Sequence, residues 1–142
     1  MPNTPGSRRW VVWCLGLYVL FAACVALLPV SYADIVHGIA RALSAVPGMD
    51  SIGSGWIEFA ANIVLFVPLG FLLTLLFRNP WVGAIIGLVI SAGFEIAQIL
   101  VPDRQPTVRD VISNTLGAAL GALIAWLVVR HRRLRARSSG RS

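Results

Sequence analysis

Apolar residues gather into four runs along the chain, Trp10–Leu28, Ile57–Phe77, Trp81–Val101 and Val111–Val129. Each is close to the ~20 residues that a helix needs to cross a bilayer. Pro29, the pair Asn79–Pro80, the pair Pro102–Asp103 and a basic cluster opening at Arg130 separate them, as chain breakers and charges do between helices. Trp10, Trp13, Trp56, Trp81 and Trp126 mostly lie near the run ends, where aromatic rings meet headgroups. A soluble core has no reason to repeat turn signals and Trp residues at membrane spacing four times. The pattern predicts an all-α fold, an integral membrane helical bundle with four transmembrane helices.

Between the first two runs the pattern changes. Ile35, Ile39, Leu43 and Val46 recur at helical spacing, while His37, Arg41 and Ser44 form a separate polar stripe. A short amphipathic helix lying on the membrane surface is expected there, ended by Pro47, Gly48, Gly53 and Gly55. His37 reads as solvated, since no Cys, His or acid spacing resembles a metal site. No metal or cofactor is expected.

Charge sets the orientation. With 142 residues, the chain has the length of one domain, and its net charge of +6 is carried by Arg without any Lys. Arg8, Arg9, Arg78 and the arginines from Arg130 onward fall on one side of the predicted spans, and Arg41, Arg104 and Arg109 on the other. The positive-inside rule then makes both termini cytoplasmic. Residues 1–9 form a cytoplasmic N-terminus, 10–129 the membrane domain and 130–142 a basic cytoplasmic tail. Because that tail follows directly on an apolar run, anionic lipid is its expected partner, and nucleic acid is not. Arg8 and Arg9, an apolar stretch and Ser31-Tyr32-Ala33 also resemble a cleavable signal peptide, but the stretch exceeds the usual length, so a retained helix is the reading taken. Cys14 and Cys24 lie ~15 Å apart along one helix, too far for a mutual disulfide.

Polar residues interrupt three of the runs. Glu95 and Gln98 share a face of the third helix. Asp110 and Asn114 share a face of the fourth, which Gly117 and Gly121 continue. Arg104 and Arg109 fall in the connection, and Glu58 and Asn62 lie one turn apart on the second helix. At 1.5 Å per residue, Asn62 lies ~8 Å, Glu95 ~9 Å and Asn114 ~5 Å from the outer ends of their helices. Polar groups inside a membrane are expensive and face one another rather than lipid. A shared polar site on one side is therefore expected, from Asn62, Glu95, Gln98, Arg104, Arg109, Asp110 and Asn114. Gly117–Gly121 and Gly83–Gly87 are small-xxx-small spacings that permit close helix approach. Pro68, followed by Gly70, either serves packing or kinks the second helix around Asn62.

Asn62 followed by LFVPLG, then Ser91, Glu95, Gln98, Arg104, Asp110, Asn114, Gly117 and Gly121, resemble the VanZ-like family, named for an accessory protein of teicoplanin resistance. The resemblance is strongest over 58–121. It implies a small multi-pass protein of the bacterial cytoplasmic membrane, tied to the cell envelope and to glycopeptide antibiotic resistance. Three uses of the cluster stay open. Arg104 and Arg109 can take a phosphate or carboxylate of a lipid, a lipid-linked precursor or a glycopeptide, with the acids and amides holding its polar head. The same groups can instead only hold the helices together. Glu95 and Asp110 can also act as acid and base on envelope lipids. No His at that depth serves Ser91 and no G-x-S-x-G elbow is present, so no catalytic residue is assigned. A proton or solute pathway would need polar groups in the inner half as well.

Overall fold

The computed structural model describes residues 5–27, 38–39, 41–42, 53–98 and 107–139. Their long elements are four helices: α1 (Pro5–Leu27), α2 (Ser54–Phe77), α3 (Pro80–Gln98) and α4 (Val108–Ser139). Ser54–Phe77, Pro80–Ala97 and Val108–Ala136 are long and apolar enough to cross a membrane. The expected surface helix falls mostly outside the described residues, although Gly38, Ile39, Arg41 and Ala42 are helical.

The core is a seam between α2 and α4, the pair in most extensive contact. From α2 come Phe66, Leu69 and Leu73, one stripe at helical spacing; from α4 comes Ala118. Ile86, Ile90 and Phe94 of α3 and Leu15, Tyr18 and Val19 of α1 pack around this cluster. The buried face of α4 is made almost wholly of small residues, namely Ser113, Asn114, Gly117, Ala118, Gly121, Ala122 and Ala125. A Cβ on Gly117 would come within 2.3 Å of the Ile63 carbonyl oxygen, and one on Gly121 within 2.0 Å of that of Val67. Gly70 returns the favour, its Cβ position lying 2.0 Å from the Ala118 carbonyl oxygen. Only glycine lets the two backbones meet so closely, which is how helices gain dispersion contact where lipid removes the hydrophobic drive. Gly87 of α3 abuts the same Ala118, 2.4 Å from its Cβ.

The helix α2 runs through Pro68, whose ring nitrogen cannot donate to the turn before it. Tyr18 of α1 donates its hydroxyl to the Leu65 carbonyl, three residues before that proline. The carbonyl that the proline leaves without a helix donor is that of Val64, and the tyrosine bonds its neighbour. The outer faces are apolar: Leu17 is 71% exposed, Val64 70% and Ile96 67%. In water that surface would aggregate, whereas acyl chains solvate it.

Arg78 and Asn79 make the turn between α2 and α3. Arg78 is left-handed at φ 57°, the usual way to end a helix. Asn79 then caps α3, its side-chain oxygen accepting from the Trp81 N–H at 3.0 Å, with Pro80 at the first helical position. The other departure from the apolar pattern is at the C-terminal end. Helix α4 does not stop with the apolar run at Val129 but continues through the arginines to Ser139, because Arg, Leu and Ala all favour helix and no Gly or Pro intervenes.

Candidate functional site

At one end of the bundle, the end of α3 and the starts of α2 and α4 bring polar side chains together. Thr107 precedes α4, and its hydroxyl accepts from the Asp110 N–H at 3.2 Å, the bond that an N-cap makes to an otherwise orphaned donor. The same hydroxyl donates to Asp110 Oδ2 at 2.7 Å. In the reciprocal capping box the acid at the third helical position also takes the cap residue's own N–H. Here that N–H goes instead to Glu95 Oε2 of α3, at 3.1 Å. Asp110 is left to accept at Oδ1 from Asn62 Nδ2 of α2, at 2.9 Å. A helix cap has thereby become a three-helix junction. Asp110 also sits in the first turn of α4, where the helix dipole favours its negative charge.

Glu95 is 8% and Asn114 6% exposed, and Ser91 and Ser113 are fully buried. The Ser113 hydroxyl is spent on the Asp110 carbonyl at 3.0 Å. Ser91 Oγ and Asn114 Oδ1, by contrast, have no hydrogen-bond partner among the described residues. Ser91 is one turn deeper than Glu95 on α3, and Asn114 one turn deeper than Asp110 on α4. A bonded layer of Glu95, Thr107, Asp110 and Asn62 thus lies toward the helix ends, with unspent polar groups one turn inward.

Of the residues expected from sequence, Asn62 and Asp110 are joined directly, and Glu95 reaches them through Thr107. Arg109 is a helical residue of α4 rather than a loop residue. Its guanidinium lies 5.3 Å from the Trp56 ring centre and 5.4 Å from that of Phe59, against Gly55, where a Cβ would fall 2.6 Å from it. Cation–π contact with α2 holds it there. Arg104 and the side chain of Gln98 lie outside the described residues. Thr107 is the residue that sequence reasoning missed, although Thr-x-x-Asp ahead of an apolar run carries the capping signal.

Comparison with known proteins adds the family. Residues 15–129 match the VanZ/LLP1 family model. Over 78 residues the chain is 33% identical to Protein VanZ of Enterococcus faecium, covering 52% of this chain and 47% of that protein. The chain therefore spans about half the length of the curated relative that it matches. No solved structure matches. The match takes in the second half of α1, all of α2 and α3 and the membrane part of α4, with the whole polar junction inside it, and the chain, an all-helical membrane protein, belongs to the VanZ/LLP1 family.

Proposed function

We propose that this is a bacterial cytoplasmic membrane protein of the cell envelope that holds a polar headgroup between α2, α3 and α4 at the junction end. Lipid, a lipid-linked precursor and a glycopeptide share the chemistry required, a hydroxyl- and amide-rich head on an apolar anchor. Glycopeptide resistance, through the family, is the phenotype to examine. In this reading the junction faces outward and both termini face the cytoplasm, with α1 as a fourth retained span. The observation that carries it is a pair of buried groups, Ser91 Oγ and Asn114 Oδ1, without a partner among the described residues. A buried polar atom without a partner costs about 1–3 kcal/mol, and sites that receive polar ligands keep such groups.

Glu95→Gln tests the reading. The Gln carbonyl can still accept from the Thr107 N–H, so the capped junction persists while the charge is lost. The expected result is wild-type protein level with loss of the envelope phenotype, scored as glycopeptide susceptibility. An unchanged phenotype at matched level would leave only the second reading, a structural junction. That reading is favoured by the direct Asn62–Asp110 bond, since interhelical hydrogen bonds in membranes average about 0.6 kcal/mol and a few of them pin a bundle. Catalysis by Glu95 and Asp110 is the third reading, and release of a headgroup from purified lipid substrates would single it out.

A further inference from the structure

A second concave site lies at the other end of the bundle, where α2 turns into α3 and α4 becomes basic. It is a cavity of about 410 Å³ lined by Thr74, Arg78, Arg130, Arg132 and Arg133, among others. Its described lining carries four arginines and no carboxylate. A lining of one charge sign attracts an anion. Arg suits phosphate in particular, since its planar fork donates two parallel bonds.

Three further features give the anion a chemical form. Apart from Asn79, the remaining wall is mostly apolar, with Leu75, Trp126 and Val129, which suits glycerol and the first methylenes of an acyl chain better than a free soluble anion. Arg130 is held over the Trp126 ring at 5.1 Å, at the level where the apolar part of α4 gives way to charge. The amino end of α3, at Pro80, completes the site and adds the positive end of a helix dipole.

We propose that this pocket binds the phosphate of an anionic phospholipid, one lipid per chain, at the membrane face opposite the Asn62–Asp110 junction. It differs from diffuse attraction of a basic tail to a charged surface because the arginines line a shaped cavity with an apolar wall. It is also independent of any headgroup at the junction.

Native mass spectrometry of the full chain in a neutral detergent tests it, with phosphatidylglycerol as probe and phosphatidylcholine, glycerol phosphate and inorganic phosphate as comparators. Wild type is expected to retain one phosphatidylglycerol, and none of the comparators at the same concentration. Arg130→Gln with Arg133→Gln should weaken retention about 30-fold, from two arginines near the surface. Both residues are exposed, so the helix should fold without them. Arg8→Gln with Arg9→Gln removes equal charge outside the pocket and should leave retention unchanged. Equal losses in the two double variants, or equal retention of phosphatidylcholine, would overturn the proposal. Displacement of the lipid by glycerol phosphate or inorganic phosphate at equal concentration would overturn its lipid form. Glu95→Gln should bind phosphatidylglycerol as wild type does, which separates this test from that of the junction.

Discussion

Asp110 has both carboxylate oxygens engaged, one by Asn62 and one by Thr107, while its own N–H bonds the Thr107 hydroxyl. Thr107→Ala removes the cap and one of those partners together. The loss expected is about 1–2 kcal/mol, seen as a lower unfolding temperature in detergent. The opposite sign is expected one turn deeper. Ser91→Ala deletes a buried hydroxyl that has no partner among the described residues, so thermal stability should rise by up to about 1–3 kcal/mol while the envelope phenotype weakens. A residue serving only the fold would not show that opposition. A shared polar site was expected from the similar depths of Asn62, Glu95 and Asn114, without the pairing of Asn62 to Asp110. The Glu95–Thr107 bond was not legible either, because it joins a side chain to a backbone N–H across a connection whose path the residue pattern does not encode.

At the scale of helices, the small-residue face of α4 decides the packing. Gly121→Leu has to push the α4 backbone away from the Val67 carbonyl, and overpacking of that kind costs about 1–3 kcal/mol or more. Gly93→Ala is the control, since nothing lies within 4 Å of its Cβ position. There the gain in helix propensity, up to about 1 kcal/mol, should leave the protein as stable or more so, by the same melting measurement. Asn79→Ala should cost about 1 kcal/mol through loss of the α3 cap. Three of the four apolar runs announced spanning helices, and the Gly117–Gly121 spacing announced a close contact. Which helix it touches was not written there, since small-xxx-small spacing names a face and no partner. Nor was the end of α4 legible at Val129, because hydropathy marks where the bilayer stops, whereas backbone propensity decides where a helix stops.

For the whole molecule, α4 joins the polar junction to the arginine pocket. Val108 and Leu134 stand ~39 Å apart along it, more than the ~30 Å of bilayer hydrocarbon. With Cys14 and Cys24 replaced by Ser, Val108→Cys should react with an impermeant maleimide added outside intact cells. Leu134→Cys should react only after permeabilisation. The reverse labelling would invert the orientation and move the proposed headgroup site to the cytoplasm.

The seam between α2 and α4 also dictates an order of assembly. During synthesis α2 enters the bilayer before α4 exists, so the notch at Gly70 and the bond from Asn62 to Asp110 wait until the last helix is made. A chain stopped after Gln98 would present lipid with a half-built seam and an amide lacking its carboxylate, and quality-control proteolysis should clear it quickly. Supplying α4 as a separate peptide in the same cells should lengthen its lifetime in a pulse-chase, because the groove has only one shape of helix to accept.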